Sequence, residues 1–125
     1  MVRIITDSTC DLSKSRQVEL GVEVAPLSVH FGAETFRDGV DLTNGDFYAR
    51  LRRAESLPTT SQVNPEDFAA RFRACREAGD EVVGIFISSL LSGTCQSACI
   101  ARGMVEDTHI FVVDSGTVTF GLGLL

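Results

Sequence analysis

The sequence predicts an α/β domain with a mostly parallel sheet covered by helices on both faces, and three observations carry that prediction. Residues 1–5, 81–87 and 109–113 are short apolar runs rich in β-branched residues, the pattern of buried strands. Segments with helical residue types and recognisable caps alternate with them. Each apolar run gives way to a stretch dense in Ser, Thr, Asp and Gly, as expected where a strand ends in a loop. Strands and helices in alternation require crossover connections, and crossovers produce parallel pairing.

Taken in order, residues 1–5 open the sheet and lead into Thr6-Asp7-Ser8-Thr9-Cys10-Asp11. Asp11 or Ser13 can cap the helix that follows, and Gly21 stands where a left-handed residue closes it. Val22, Val24, Leu27, Val29 and Phe31 come close to alternation, and Gly32-Ala33 separates them from Thr35-Phe36, so a hairpin is expected that adds an antiparallel edge to the sheet. Residues 37–41 exit as loop. Thr43 caps a helix whose buried stripe is Phe47, Leu51 and Ala54, with Asp46 in its first turn. Residues 57–62, Leu-Pro-Thr-Thr-Ser-Gln, read as another loop. Asn64-Pro65-Glu66-Asp67 is a strong helix start, and Phe68, Phe72 and Cys75 form the inner face of a helix that Gly79 ends. The central strand then turns through Ser92-Gly93-Thr94 into a further helix. After the last strand the chain runs from Val118 to Leu125 as an apolar tail without a helix-ending signal, which is expected either to continue or to lie buried against a partner.

The 125 residues suit one domain, and a hydrophobic fraction of 44% can supply its core. A formal charge of -6 argues against a nucleic-acid partner, since phosphate neutralisation needs clustered Lys and Arg. The arginines at 50, 52 and 53 and at 71, 73 and 76 fall in helical segments and read as solvated faces. No run approaches membrane-spanning length, and no basic residues precede an early apolar segment, so the expected location is the cytoplasm. Cys10, Cys75, Cys95 and Cys99 match neither a zinc knuckle nor a CxxC redox motif. Cys95 and Cys99, one helical turn apart, are expected to pack as small buried thiols, and no metal or cofactor is expected.

In open α/β sheets the loops at the carboxyl ends of the strands converge on the ligand crevice. Here those loops, with Thr59-Thr60-Ser61-Gln62, read Thr-Asp-Ser-Thr, Ser-Ser-Leu-Leu-Ser-Gly-Thr and Asp-Ser-Gly-Thr. A crevice lined with neutral donors and almost no Lys or Arg suits a singly charged or neutral polar group better than a multiply charged phosphate. The helix that starts near Ser92 adds backbone N–H groups and the positive end of its dipole. For a lone Ser-Gly-Thr, Ser92 acting only as that helix's cap is the better explanation, and the functional reading draws on the rest of the chain.

Taken together, Ile5-Thr6-Asp7-Ser8-Thr9-Cys10-Asp11-Leu12, Pro58-Thr59-Thr60-Ser61-Gln62, the stretch from Ser88 to Ala98 and Val112-Val113-Asp114-Ser115 resemble the DegV family of bacterial fatty-acid-binding proteins. The resemblance implies that residues 1–125 are the family's amino-terminal α/β domain, which holds the carboxylate of a long-chain fatty acid. It also implies a carboxy-terminal, lipid-enclosing domain that is absent from these residues. Lipid carriage is implied rather than independent catalysis, with an ATP-dependent fatty acid kinase subunit as partner. Carried over residue by residue, Thr60 and Ser92 are the carboxylate contacts, and Ser61, Gly93 and Thr94 add donors. Val63-Asn64 stands where the family often has Pro-Ser, a change that bears mainly on the next helix cap. Phe31, Phe86, Leu90, Leu91 and Val118 are candidate tunnel walls that ordinary core packing explains as well.

Three other readings compete. Ser89 or Ser92 could be a nucleophile with His30 or His109 as base and Asp7 or Asp114 as orienter, but the chain lacks a Gly-x-Ser-x-Gly elbow. Asp7 and Asp114 could hold a hard cation, against which stands their use as local turn caps. Finally, the chain could be a structural or partner-binding module without a ligand.

Overall fold

The computed structural model describes residues 1–106 and 109–125. Among these the elements are β1 (Val2–Asp7), α1 (Lys14–Leu20), β2 (Val22–Ala25), β3 (Ser28–Phe31), β4 (Glu34–Arg37), α2 (Asn44–Leu51), β5 (Thr59–Ser61), α3 (Pro65–Glu77), β6 (Glu81–Phe86), α4 (Thr94–Gly103), β7 (Ile110–Asp114) and α5 (Phe120–Gly123). Strands β2, β1, β6 and β7 pair in that order, every pair parallel, so the α/β reading holds.

Local chemistry sets most boundaries. The Ser13 hydroxyl accepts the Arg16 N–H to cap α1, and Gly21 and Gly79 take the left-handed conformation just past α1 and α3. Thr43 and Asp46 form a reciprocal capping box on α2, and Asn64 accepts the Glu66 N–H with Pro65 at the first position of α3.

One face of the parallel sheet is fully packed. Helix α3 lays Phe68, Phe72 and Cys75, and α4 lays Cys95, Ala98 and Ala101, onto Ile5, Val82 and Phe86. The Phe86 ring meets Phe68 edge-on at 4.8 Å between centroids and folds back over Gly84, where a Cβ would lie 2.5 Å from the ring. Glycine at that strand position therefore makes room for the aromatic contact. Helices α1 and α5 flank the other face more loosely, where Ile4 and Val22 line an apolar cleft of about 400 Å³ with Leu20, Phe120 and Leu124. The apolar tail thus forms α5, with Leu122 buried and Phe120, Leu124 and Leu125 exposed.

The excursion after β2 differs from the expectation. The hairpin forms, with Gly32-Ala33 at its turn, but it does not extend the parallel sheet. It builds a separate antiparallel sheet of order β4-β3-β5. The third strand is the Thr59-Thr60-Ser61 stretch expected as loop; its β-branched residues pair with β3, whose other edge β4 already occupies. Helix α2 is shorter than its stripe implied: Ala54 lies beyond it, and no α2 residue is fully buried. Phe47 instead packs against Phe31 of the hairpin, 5.7 Å between ring centroids.

Candidate functional site

The segment joining β6 to α4, residues 87–93, is anchored from beneath. Asp7, wholly buried at the end of β1, accepts the Ile87 N–H at 2.8 Å, the Thr9 N–H at 2.9 Å and the Thr9 hydroxyl. The Ser88 N–H donates to the Thr117 carbonyl at 2.9 Å. The chain then turns, the Leu91 and Ser92 N–H groups both donating to the Ser88 carbonyl at 2.9 and 3.1 Å. Gly93 occupies the cap position of α4 and makes no side-chain cap. Ser92, one residue earlier, accepts the Thr94 N–H at 3.2 Å, and its oxygen lies 3.0 Å from the Thr94 hydroxyl.

Strand β5 approaches from the other side, and its period of two sorts its hydroxyls. Thr60 stands opposite Val29, and both line a cleft with Ile87, Leu91, Ser92 and Gly93. Ser61 belongs to the other face, where its hydroxyl lies 2.6 Å from Nε2 of His30. The next residue, Gln62, clasps the two segments together. Its Nε2 donates to the Ser97 hydroxyl at 3.0 Å, and its Oε1 lies so close over Gly93 that a Cβ there would be 1.9 Å away. The Val63 N–H donates to the Thr94 hydroxyl oxygen at 3.4 Å.

The resulting cleft has a volume of about 330 Å³. Leu27, Val29, Ile87 and Leu91 supply its apolar wall, Thr9, Thr60, Gln62 and Ser92 its neutral polar groups, and Asp38 a carboxylate; no Lys or Arg is among the residues that line it. Thr60, Ser92 and Gly93 thus share one cleft. Thr94 is fully buried behind Ser92. A larger hollow of about 820 Å³ between the hairpin and α2 contains none of these residues and mixes Glu34, Asp41 and Asp46 with Arg50 and Arg53.

Several predicted participants are placed elsewhere. The segment after β7 is used internally: Asp114 accepts the Ser89 N–H and hydroxyl and the Gly116 N–H, and these bonds, the Ser89 hydroxyl foremost, hold its carboxyl below the usual range. His30 is engaged with Thr35 and Ser61, and His109 with Glu81 at 2.8 Å, so neither joins Ser89 or Ser92 as base. Asp7 and Asp114 act as turn acceptors, and no cluster of three or more His, Cys, Asp or Glu side chains suited to a metal occurs among the described residues. Of the candidate walls only Leu91 lines the cleft; Phe86 is core, Val118 packs against Cys10, Ile87 and Leu122, Phe31 faces the larger hollow, and Leu90 is 94% exposed. The four cysteines are free thiols, and burial, with Cys99 beside it, pushes the Cys95 thiol up to about 11.

Two elements escaped the sequence reading. Gln62 belongs to the quoted motif, but its clasp depends on a glycine in a distant segment. Asp38 follows β4 in a stretch that carries no pattern of its own.

Comparison with known proteins agrees with this fold. The family model described as "Uncharacterised protein, DegV family" matches residues 1–125. A DegV domain-containing protein of Clostridium perfringens is 44% identical over 124 residues, covering 99% of this chain and 44% of that protein. The crystal structure of a fatty acid (stearic acid)-binding protein from Eubacterium ventriosum superposes with a TM-score of 0.94 at 39% identity, covering 99% of this chain and 44% of that one. A DegV family protein from Thermus thermophilus, solved for its fatty acid binding, gives a TM-score of 0.87 at 37% identity over 98% of this chain and 44% of its own. The chain therefore spans less than half the length of the relatives it matches. With its whole length matched by the family model, this chain belongs to the DegV family.

Proposed function

We propose that the cleft receives the carboxylate of a long-chain fatty acid, with the hydroxyls of Thr60 and Ser92 as its hydrogen-bond donors and the amino end of α4 beside it. The observation that carries this reading is the meeting of Thr60, Ser92 and Gly93, from two distant segments, in one partly apolar cleft that no Lys or Arg lines. Neutral donors suit a single dispersed charge. Two or three charge-assisted hydrogen bonds at roughly 1.5 to 3 kcal/mol each fix the direction of the headgroup. Most of the affinity then comes from the acyl chain, at about 0.8 kcal/mol per buried methylene before the costs of association.

A cleft of about 330 Å³ fits a headgroup and the first methylenes, so the rest of the chain needs a further wall. We assign that wall to a second domain of the kind the longer relatives have room for. The role is carriage and presentation of the lipid rather than catalysis, in the cytoplasm, with an ATP-dependent fatty acid kinase subunit as the partner that the family resemblance suggests. The test is native mass spectrometry of the purified protein, followed by solvent extraction and lipid analysis. A near-stoichiometric long-chain fatty acid is expected, in this chain or in a form extended by a second domain; lipid in neither form overturns the reading.

A further inference from the structure

We infer that Thr94 is a positioning residue that fixes the direction of the Ser92 hydroxyl proton, so that Ser92 presents a donor to the cleft. This deepens the carboxylate reading and rests on it for its consequence, but the hydrogen-bond pattern itself belongs to the ligand-free protein.

The direction follows from counting donors. A hydroxyl has one proton to give and two lone pairs to accept with. The Val63 N–H is a donor only, and it donates to the Thr94 oxygen at 3.4 Å. Thr94 is fully buried, so its own proton needs an acceptor inside the protein, and the Ser92 oxygen lies 3.0 Å away. The same Ser92 oxygen accepts the Thr94 N–H at 3.2 Å. Both Ser92 lone pairs are then taken by one residue, and the one remaining hydrogen-bonding function of Ser92, its O–H, turns outward. Were the bond reversed, with Ser92 donating to Thr94, the buried Thr94 proton would be stranded and Ser92 would offer the cleft a lone pair, which repels a carboxylate. A chain running from Val63 N–H through Thr94 O–H to Ser92 O–H also polarises each successive donor.

The same geometry separates the two residues of the motif by role. Ser92 lines the cleft and Thr94 does not. An anion needs a fixed donor, whereas an alcohol headgroup can reverse the bond and donate to Ser92 itself. Loss of Thr94's hydroxyl therefore costs an acid more than an alcohol of the same length.

The experiment compares dodecanoic acid and 1-dodecanol, by calorimetric titration, on the wild type, Thr94→Val and Thr94→Ser. Thr94→Val is expected to weaken the acid about tenfold while changing the alcohol less than about twofold, and Thr94→Ser is expected to restore the acid to within about twofold of wild type. Equal losses for acid and alcohol, or an unchanged acid affinity in Thr94→Val, overturn the inference. Should the wild type bind neither compound, the carboxylate reading fails separately, and the relay is tested on the free protein by hydroxyl isotope shifts at Cβ in mixed H2O and D2O. Slow exchange at Thr94 with fast exchange at Ser92 is expected; slow exchange at Ser92, or fast exchange at both, overturns it.

Discussion

The segments that follow β1 and β6 are made of the same residue types, yet they spend their hydrogen bonds differently. After β1, Asp7 draws in the Thr9 hydroxyl, the Ser8 hydroxyl oxygen accepts the Leu27 N–H at 3.0 Å, and Asp11 accepts the Thr119 hydroxyl. Nearly every polar group there braces a neighbouring segment. After β6, the bracing is done by backbone, by the Ser89 hydroxyl on Asp114 and by Thr94, and the Ser92 hydroxyl is left at the cleft. A hydroxyl-rich loop is thus not by itself a binding loop; what decides is which hydroxyls remain after the fold has been satisfied.

The largest effect is expected from removing the brace. Asp7→Ala strands the Ile87 and Thr9 N–H groups in a buried site and should cost roughly 3 kcal/mol, the range for losing a buried charged acceptor, measured by urea unfolding. Next comes the contact between the two segments. In Gly93→Ala the new methyl meets the Gln62 carboxamide, so the clasp to Ser97 must open, with a stability loss of about 1 to 3 kcal/mol and weaker acid binding together.

Ser92→Ala sharpens the contrast, because the Ser92 oxygen serves the fold through Thr94 while its O–H faces the cleft, so both stability and ligand affinity should fall. Its unfolding free energy should fall by about 1 to 2 kcal/mol, because the Thr94 N–H and buried hydroxyl lose their acceptor, while fatty acid affinity falls roughly 10- to 150-fold, the worth of one charge-assisted hydrogen bond at about 1.5 to 3 kcal/mol. A large stability loss without an affinity change would place Ser92 with the bracing hydroxyls.

The smallest effect lies in the segment after β7. Asp114 has a carboxyl pKa lowered chiefly by the Ser89 hydroxyl, so its contribution to stability is present above the carboxyl's unfolded value near pH 4 and is lost as pH falls through the folded one. Ser89→Ala should flatten that acid-side decline, measured by thermal unfolding between pH 5 and 2. An unchanged decline would mean that the Ser89–Asp114 bond contributes nothing to this pH dependence.

Much of the parallel layer was legible because its signals are local. Apolar β-branched runs announce β1, β6 and β7, and Ser13, Thr43 and Asn64-Pro65 announce α1, α2 and α3 through caps that involve only a few neighbouring residues. The second sheet was not legible in the same way. Three residues, Thr59-Thr60-Ser61, behind a proline and rich in hydroxyls, carry the composition of a loop; they become a strand only because β3 offers an unpaired edge, a fact that depends on pairing far along the chain. The site divides likewise. Thr60 and Ser92 stood in recognisable motifs, but which of the adjacent hydroxyls faces the cleft depended on the strand phase of β5, which turns Ser61 toward His30, and on the burial of Thr94. Neither can be read until β5 is known to be a strand.

The most direct test of the cleft assignment is the amide spectrum of the 15N-labelled protein titrated with dodecanoic acid. Saturable shifts centred on Thr60, Ser92, Gly93 and Thr94 are predicted, with Ser61 and the residues of α1 little changed. Saturable binding that leaves those four amides in place and moves another region would contradict the assignment of this cleft as the carboxylate site.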